Sequence, residues 1–434
     1  MSIPGFQRAL VGLALGASLA LPPSAAWAEP EAPTPVEKSR KQEREERLKY
    51  AVKPHNARTF AKAREHLDAQ RYAEAEKALG RLSFGRLTAH ERAQAERLYG
   101  YIAYGQEKNE AAIEHLGKAL AEDALPPADQ ADVLFQIAQI QAVERRWRDV
   151  IATLESWFAV VERPNSVGYF LMALSHYQLE NLDAALLPAK KAVQIAKTPQ
   201  SAWLQLLLAI HLTRKDYAAA TPVLDQMIAL YPNTGKDYWL QLSALYGVRE
   251  DTARALAVLE VAHRKRILTD DRDLLRLLQL TLSRGIPYRA AEIFETEMAA
   301  QRFQDDPEAL ELLSAAWILA REVPRAEEPL ARAAELVAKG ELYVRLAQIQ
   351  MLQEEWAEAA ATLRKALAKG GLREPANVQL LLGIAYYNER NLQEARTWFA
   401  HAQQSGSTRE QAQTWIEHID REIDAGRAAA GAAS

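Results

Sequence analysis

From Ala376 to Gln403 the chain encodes two amphipathic helices joined by a polar turn, Asn388 to Asn391. Gly383 and Tyr386 lie three apart on one apolar face, and Ala395, Phe399 and Ala402 follow at i, i+4 and i+7 on a second. One hairpin of this size cannot bury its own apolar faces, so it requires neighbours. They are present. Aligned on Ala395, the chain carries Ala75, Ala112, Val150, Ala185, Ala220, Ala255, Ala290, Ala326 and Ala359, which makes nine alanines in ten places, 33 to 38 residues apart. Seven residues after each stand Leu82, Ala119, Trp157, Ala192, Met227, Ala262, Glu297, Ala333, Ala366 and Ala402. A period of that length with small residues at fixed helical offsets points to stacked helix pairs and an all-α chain.

Counted from Ala376, the landmarks fall at positions 7 (Leu382), 8 (Gly383), 11 (Tyr386), 20 (Ala395), 24 (Phe399) and 27 (Ala402). This spacing resembles the tetratricopeptide repeat (TPR). Small residues at 8 and 20 let two helices approach closely, and the large residue at 24 fills the gap to the next hairpin. The expected fold is therefore a right-handed α-solenoid of about ten TPR hairpins over residues 50–407, with a capping helix at 408–424 and an unstructured tail at 425–434. The repeats beginning near Asn56 and Asp271 match least well. Prolines inside three second helices, Pro188, Pro222 and Pro329, are expected to bend the outer wall without touching the inner face.

The first residues follow another logic. Arg8 precedes the apolar run Ala9 to Leu21, which is short for a bilayer span, and Ala26-Trp27-Ala28 supplies the small residues of a cleavage site. Residues 1–28 therefore read as a signal peptide, with no membrane span after cleavage. Residues 29–49 read as a Pro-rich, then charged, linker. The chain has no cysteine, which excludes disulfides, thiol catalysis and a lipidated cysteine together. Export without disulfides fits the periplasm. A formal net charge of −4, one unit more negative once Arg8 is removed, argues against nucleic acid as a partner.

Little in the sequence carries reaction chemistry. The nine histidines are scattered, no HExxH pair occurs, and there is no Walker loop or GxSxG elbow, so neither cofactor, metal nor catalysis is expected. The pairs Asp270-Asp271 and Asp305-Asp306, and Asp129 after Pro126-Pro127, precede or open helices and are read as caps.

What remains is the face lined by positions 2, 5, 9 and 12 of the first helices. In repeats two to four it includes Tyr101, Tyr104, Phe135, Gln139, Phe170 and Tyr177, with Arg97 beside them. These residues are expected to form an aromatic stripe in a partner-binding groove, since exposed rings in adjacent repeats mark interaction sites. Further along, Asp237, Glu308, Glu311 and Glu341 make the same positions acidic.

Particular stretches narrow the resemblance. Tyr238-Trp239 with Leu242 and Tyr246-Gly247, Pro287-Tyr288 with Ala290-Ala291, Ala316-Trp317 with Ala320-Arg321-Glu322, and Gly340-Glu341-Leu342 with Leu346-Ala347 resemble the periplasmic TPR proteins that accompany TonB-ExbB-ExbD systems. That resemblance implies a non-catalytic scaffold assisting outer-membrane uptake of iron complexes or other nutrients. Its partners would be TonB, ExbB, ExbD or an outer-membrane receptor. A second reading stays open: an adaptor or chaperone for polysaccharide export or envelope assembly.

Overall fold

Each helix pair in this protein reverses direction through one residue in the left-handed backbone region. In the computed structural model that residue is Gln70, Glu107, Arg145, Glu180, Lys215, Glu250, Gly285, Arg321, Glu354 or Arg390. It is position 15 of every repeat, and only one of the ten is glycine. The hydrogen bonds repeat with it. Lys108 N–H bonds the Ala103 carbonyl and Glu107 N–H bonds the Tyr104 carbonyl, both at 2.9 Å, and the same two bonds recur at each turn, through Arg390 to Tyr387 and Asn391 to Tyr386. This is a Schellman closure, which satisfies the last carbonyls of the first helix. Asn181, Asp216, Asp251 or Asn391 then caps the second helix from the next position.

The structure describes residues 49–303 and 305–433, with side chains through 425. The signal peptide, and the linker apart from residue 49, lie outside the described residues. Twenty-one α-helices and no strand occur among the described residues, and the chain divides into two units, residues 1–234 and 235–434.

The first unit holds five hairpins: α1 (Pro54–Asp68) with α2 (Tyr72–Leu79), α3 (Ala89–Gly105) with α4 (Asn109–Ala121), α5 (Pro127–Val143) with α6 (Trp147–Val160), α7 (Ser166–Gln178) with α8 (Leu182–Ile195), and α9 (Ser201–Thr213) with α10 (Tyr217–Leu230). The second unit holds α11 (Lys236–Val248) with α12 (Thr252–Arg264), α13 (Asp271–Ser283) with α14 (Pro287–Ala299), α15 (Pro307–Leu319) with α16 (Val323–Leu336), α17 (Glu341–Leu352) with α18 (Trp356–Lys369), and α19 (Pro375–Asn388) with α20 (Leu392–Ala402). A final helix, α21 (Arg409–Ala433), follows. The architecture is an α-solenoid of ten hairpins, and both weakly matching repeats are hairpins like the rest.

The core sits at the small-residue positions. All ten residues at position 20 are at most 2% exposed. Position 8 is small in all repeats but two, which carry Leu208 and Leu278, and where it is Gly100 or Gly383 the residue at position 24 takes the space. A Cβ on Gly383 would lie 2.7 Å from the Phe399 ring, and one on Gly100 would lie 2.6 Å from Leu116 Cγ. Glu297, the polar exception at position 27, accepts from His263 of the preceding second helix at 2.8 Å.

Three sequence expectations are corrected. The α13 N-terminus has no side-chain cap: Asp270 pairs with Lys236 and Asp271 with Arg302, each in a neighbouring hairpin or the loop beyond. Asp306 does cap α15, accepting from Glu308 and Ala309 N–H at 3.0 and 3.2 Å. Asp129 lies inside the first turn of α5 and is drawn away by Arg97, so it does not serve as the cap. Finally, the last helix runs to Ala433 instead of ending near residue 424, because the alanines of that stretch have the highest helix propensity of any residue. Its first half covers hairpin ten as expected: Ala412, Ile416 and Ile419 are buried, and Trp415 stacks on Phe399 at 5.3 Å.

Candidate interaction groove

The candidate site of the first unit is built around Arg97 on α3. The helix starts at a capping box in which Thr88 Oγ1 accepts from Glu91 N–H and Glu91 Oε2 accepts from Thr88 N–H. Two turns on, Arg97 Nε donates to the Tyr101 hydroxyl at 3.0 Å, with the guanidinium 5.5 Å from the Tyr101 ring centroid. Its Nη1 meets Asp129 Oδ1 at 2.7 Å across the repeat boundary, and Gln94 Nε2 donates to the other Asp129 oxygen at 2.9 Å. Asp132, one turn along α5, is 3.9 Å from Arg97 Nη2 and its side chain is 70% exposed.

The electrostatics follow from this placement. Burial opposes the Arg97 charge, but Tyr101 and Asp129 more than offset it and hold its pKa above the ordinary value. Burial pushes the Tyr101 phenol up against the pull of Arg97. It raises Tyr104 as well, and raises Tyr177 against a hydrogen bond with Thr213. All three phenols are therefore neutral at physiological pH, each able to donate and accept.

The rings of the expected stripe do not all face outward. Phe135 and Phe170 are 7% and 8% exposed. Phe135 packs on Trp157 with ring centroids 5.0 Å apart, and Phe170 on Trp203 at 6.0 Å. For Phe135 the reason lies at Trp157, a large residue at position 27 where most repeats have alanine, which fills the seam between hairpins three and four; for Phe170 it lies at Trp203 on the next first helix. Tyr101, Tyr104, Gln139 and Tyr177 remain partly exposed, as does Arg97. The structure thus joins Arg97 and Tyr101 directly, leaves Tyr104, Gln139 and Tyr177 as separate points along the first helices, and assigns the two phenylalanines to the core.

Sequence reading missed Gln94, Asp129 and Asp132 as companions of Arg97. The available signal was an opposite charge 32 residues on, close to one repeat period, which is how residues on adjacent first helices meet. In the second unit Asp237 and Glu308 are exposed, Glu311 pairs with Arg345, and Glu341 accepts from Arg373 N–H at 2.6 Å. Among the described residues no cluster of metal-ligating side chains occurs, and no helix is long and apolar enough to cross a membrane.

No curated relative matches the chain. Among solved structures it is similar to YrrB, a TPR protein with an unusual peptide-binding site, at 16% identity over 42% of this chain and 90% of that one, with a TM-score of 0.35. MamA is similar at 15% identity over 41% and 94%, TM-score 0.34. A TPR protein from Parabacteroides merdae is similar at 14% identity over 58% and 98%, TM-score 0.28. At such scores these likenesses carry no argument about function. The family described as Tetratricopeptide repeat matches residues 344–410, which take in most of hairpin nine, all of hairpin ten and the start of α21. The chain is an α-solenoid of ten helical hairpins whose last two match the tetratricopeptide repeat.

Proposed function

We propose that this protein is a non-catalytic scaffold that binds a protein or peptide partner through the first-helix face of its first unit. The observation that supports the reading is the Arg97–Tyr101–Asp129 network with Asp132 exposed beside it. It holds side chains rigid at the edge of a partly exposed row of neutral phenols and the Gln139 amide. Such a row offers donors and acceptors to a polypeptide backbone, and Asp132 offers a charge to a basic side chain.

The sequence resemblance in residues 50–420 and the signal-like N-terminus support a finer reading: a periplasmic protein assisting a TonB-ExbB-ExbD system. The test places a photoreactive residue at Tyr104 in cells and identifies what is captured. Capture of TonB, ExbB, ExbD or an outer-membrane receptor, lost on Tyr101→Ala, is the expected result. Capture of an export or assembly protein would replace the TonB reading with the second one. No capture from Tyr104, or capture unchanged by Tyr101→Ala, would remove the groove.

A further inference from the structure

The edge of the second unit on which the hairpins reverse is apolar and carries both signs of charge. Successive first helices end there on Val248, Ile318 with Leu319, and Leu352, which are 46%, 37%, 62% and 75% exposed. Between them, the turn of the α13–α14 hairpin adds Ile286 and Tyr288 at 43% and 47%. The edge is continuous: Arg284 of one turn donates to Thr252 of the preceding hairpin at 3.2 Å, and the Tyr288 ring meets Trp317 of the following one edge-on at 5.5 Å. Leu319 and Leu352 end adjacent first helices, so stacking places them about 10 Å apart.

The charges at the turn apices have a specific order. Arg321 stands at the turn after Leu319 and Glu354 at the turn after Leu352, both exposed and both in the left-handed conformation. Among the described residues neither is joined to the other or to another opposite charge by an ion pair, although charged side chains elsewhere in the unit bridge neighbouring hairpins. One turn to either side the apices are Gly285, with Arg284 before it, and Arg390, with Glu389 before it and Glu422 3.5 Å from its guanidinium.

We propose that this edge is a self-association surface that takes a second copy of the same chain. A two-fold axis between the α15 and α17 ends sets Leu319 of one copy on Leu352 of the other, and Leu352 on Leu319. The same rotation sets Arg321 opposite Glu354 twice. An isologous contact requires a surface complementary to itself after rotation, and an apolar centre flanked by opposite charges one repeat apart meets that requirement. A handful of side chains per copy buries less than a standard interface, so the association is reversible and concentration-dependent.

Sedimentation of the full chain tests this. The expected result is a monomer–dimer equilibrium that Leu319→Glu weakens at least tenfold with helical circular dichroism unchanged. The decisive experiment uses Arg321→Glu and Glu354→Arg separately and then mixed. Alone, each sets like charges across the axis and loses dimer. Mixed, the two variants recover it, because a heterodimer restores both opposite-charge contacts between copies, which no contact within one chain can do. A single monomeric species at every concentration overturns the proposal. So does a dimer indifferent to Leu319→Glu, or a mixture of the charge variants that stays monomeric.

Discussion

The Trp157 ring occupies the space that a side chain on Gly168 would fill: a Cβ there would lie 2.3 Å from Trp157 Cζ3 and 2.6 Å from Cη2. The seam between hairpins three and four therefore depends on a large residue and an absent one together. Gly168→Ala is expected to destabilise the first unit by about 1–3 kcal/mol, the usual cost of overpacking. The loss is read from urea unfolding followed by tryptophan fluorescence. Combining it with Trp157→Ala removes the clash, so the double variant should be more stable than the sum of the single effects predicts.

The ten left-handed turns give a paired prediction. A side chain in that region costs about 1 kcal/mol relative to glycine. Glu107→Gly is therefore expected to raise stability by roughly 0.5–1 kcal/mol, and Gly285→Ala to lower it by a similar amount. No atom lies within 4 Å of a Cβ on Gly285, so its effect is conformational, without steric contact. Thermal midpoints moving the same way in both variants would exclude the turn geometry as the cause.

Glu91 links the first two hairpins from a buried position. Its carboxylate accepts from Lys53 N–H at 2.8 Å, Asn56 Nδ2 at 3.0 Å and Thr88 N–H at 2.9 Å. Burial favours the protonated acid, but these donors and Lys53 outweigh it and leave its pKa below the ordinary 4.5. The stabilisation is thus present above that value and lost as pH falls through the depressed one. Glu91→Ala strands the donors and should cost about 3 kcal/mol, while Glu91→Gln keeps one acceptor oxygen and should cost less. Equal unfolding midpoints for the two variants would show that the hydrogen bonds contribute nothing.

Histidine sets a second pH window. His211 is 1% exposed; burial lowers its pKa below 6.5 against the opposing pull of Asp216, whose carboxylate is 3.3 Å away. Burial lowers His176 in the same way. The unfolded chain binds these protons more readily than the folded one. Stability is therefore full above about pH 6.5 and declines as pH falls from there toward the depressed values. The urea midpoint is expected to drop between about pH 7.5 and 5.5, and to drop less in His211→Gln. A midpoint that is flat or rising on acidification would contradict the assignment.

The fold was legible because its determinants are periodic. Ala75 to Ala395 mark the closest helix approaches, and Gly383 with Phe399 shows how the small and large positions interlock. The site was less legible because exposure depends on neighbours that the period does not specify. Phe135 and Phe170 stand at groove positions, yet Trp157 of the same hairpin draws Phe135 into the core and Trp203 of the next hairpin draws in Phe170. The turns were hidden for a different reason. Glycine is the usual sign of a left-handed residue, and nine of the ten turns lack it.

The recurring turn also makes the hairpin a unit of editing. A cut from one apex to the next, such as Glu250 to Gly285, removes one second helix and the first helix after it. The remaining ends then meet at a residue with the same backbone angles and the same two closing hydrogen bonds. The length of such a chain is free to change in whole steps of one hairpin, and the surfaces it presents can be spaced, duplicated or lost without redesigning any junction.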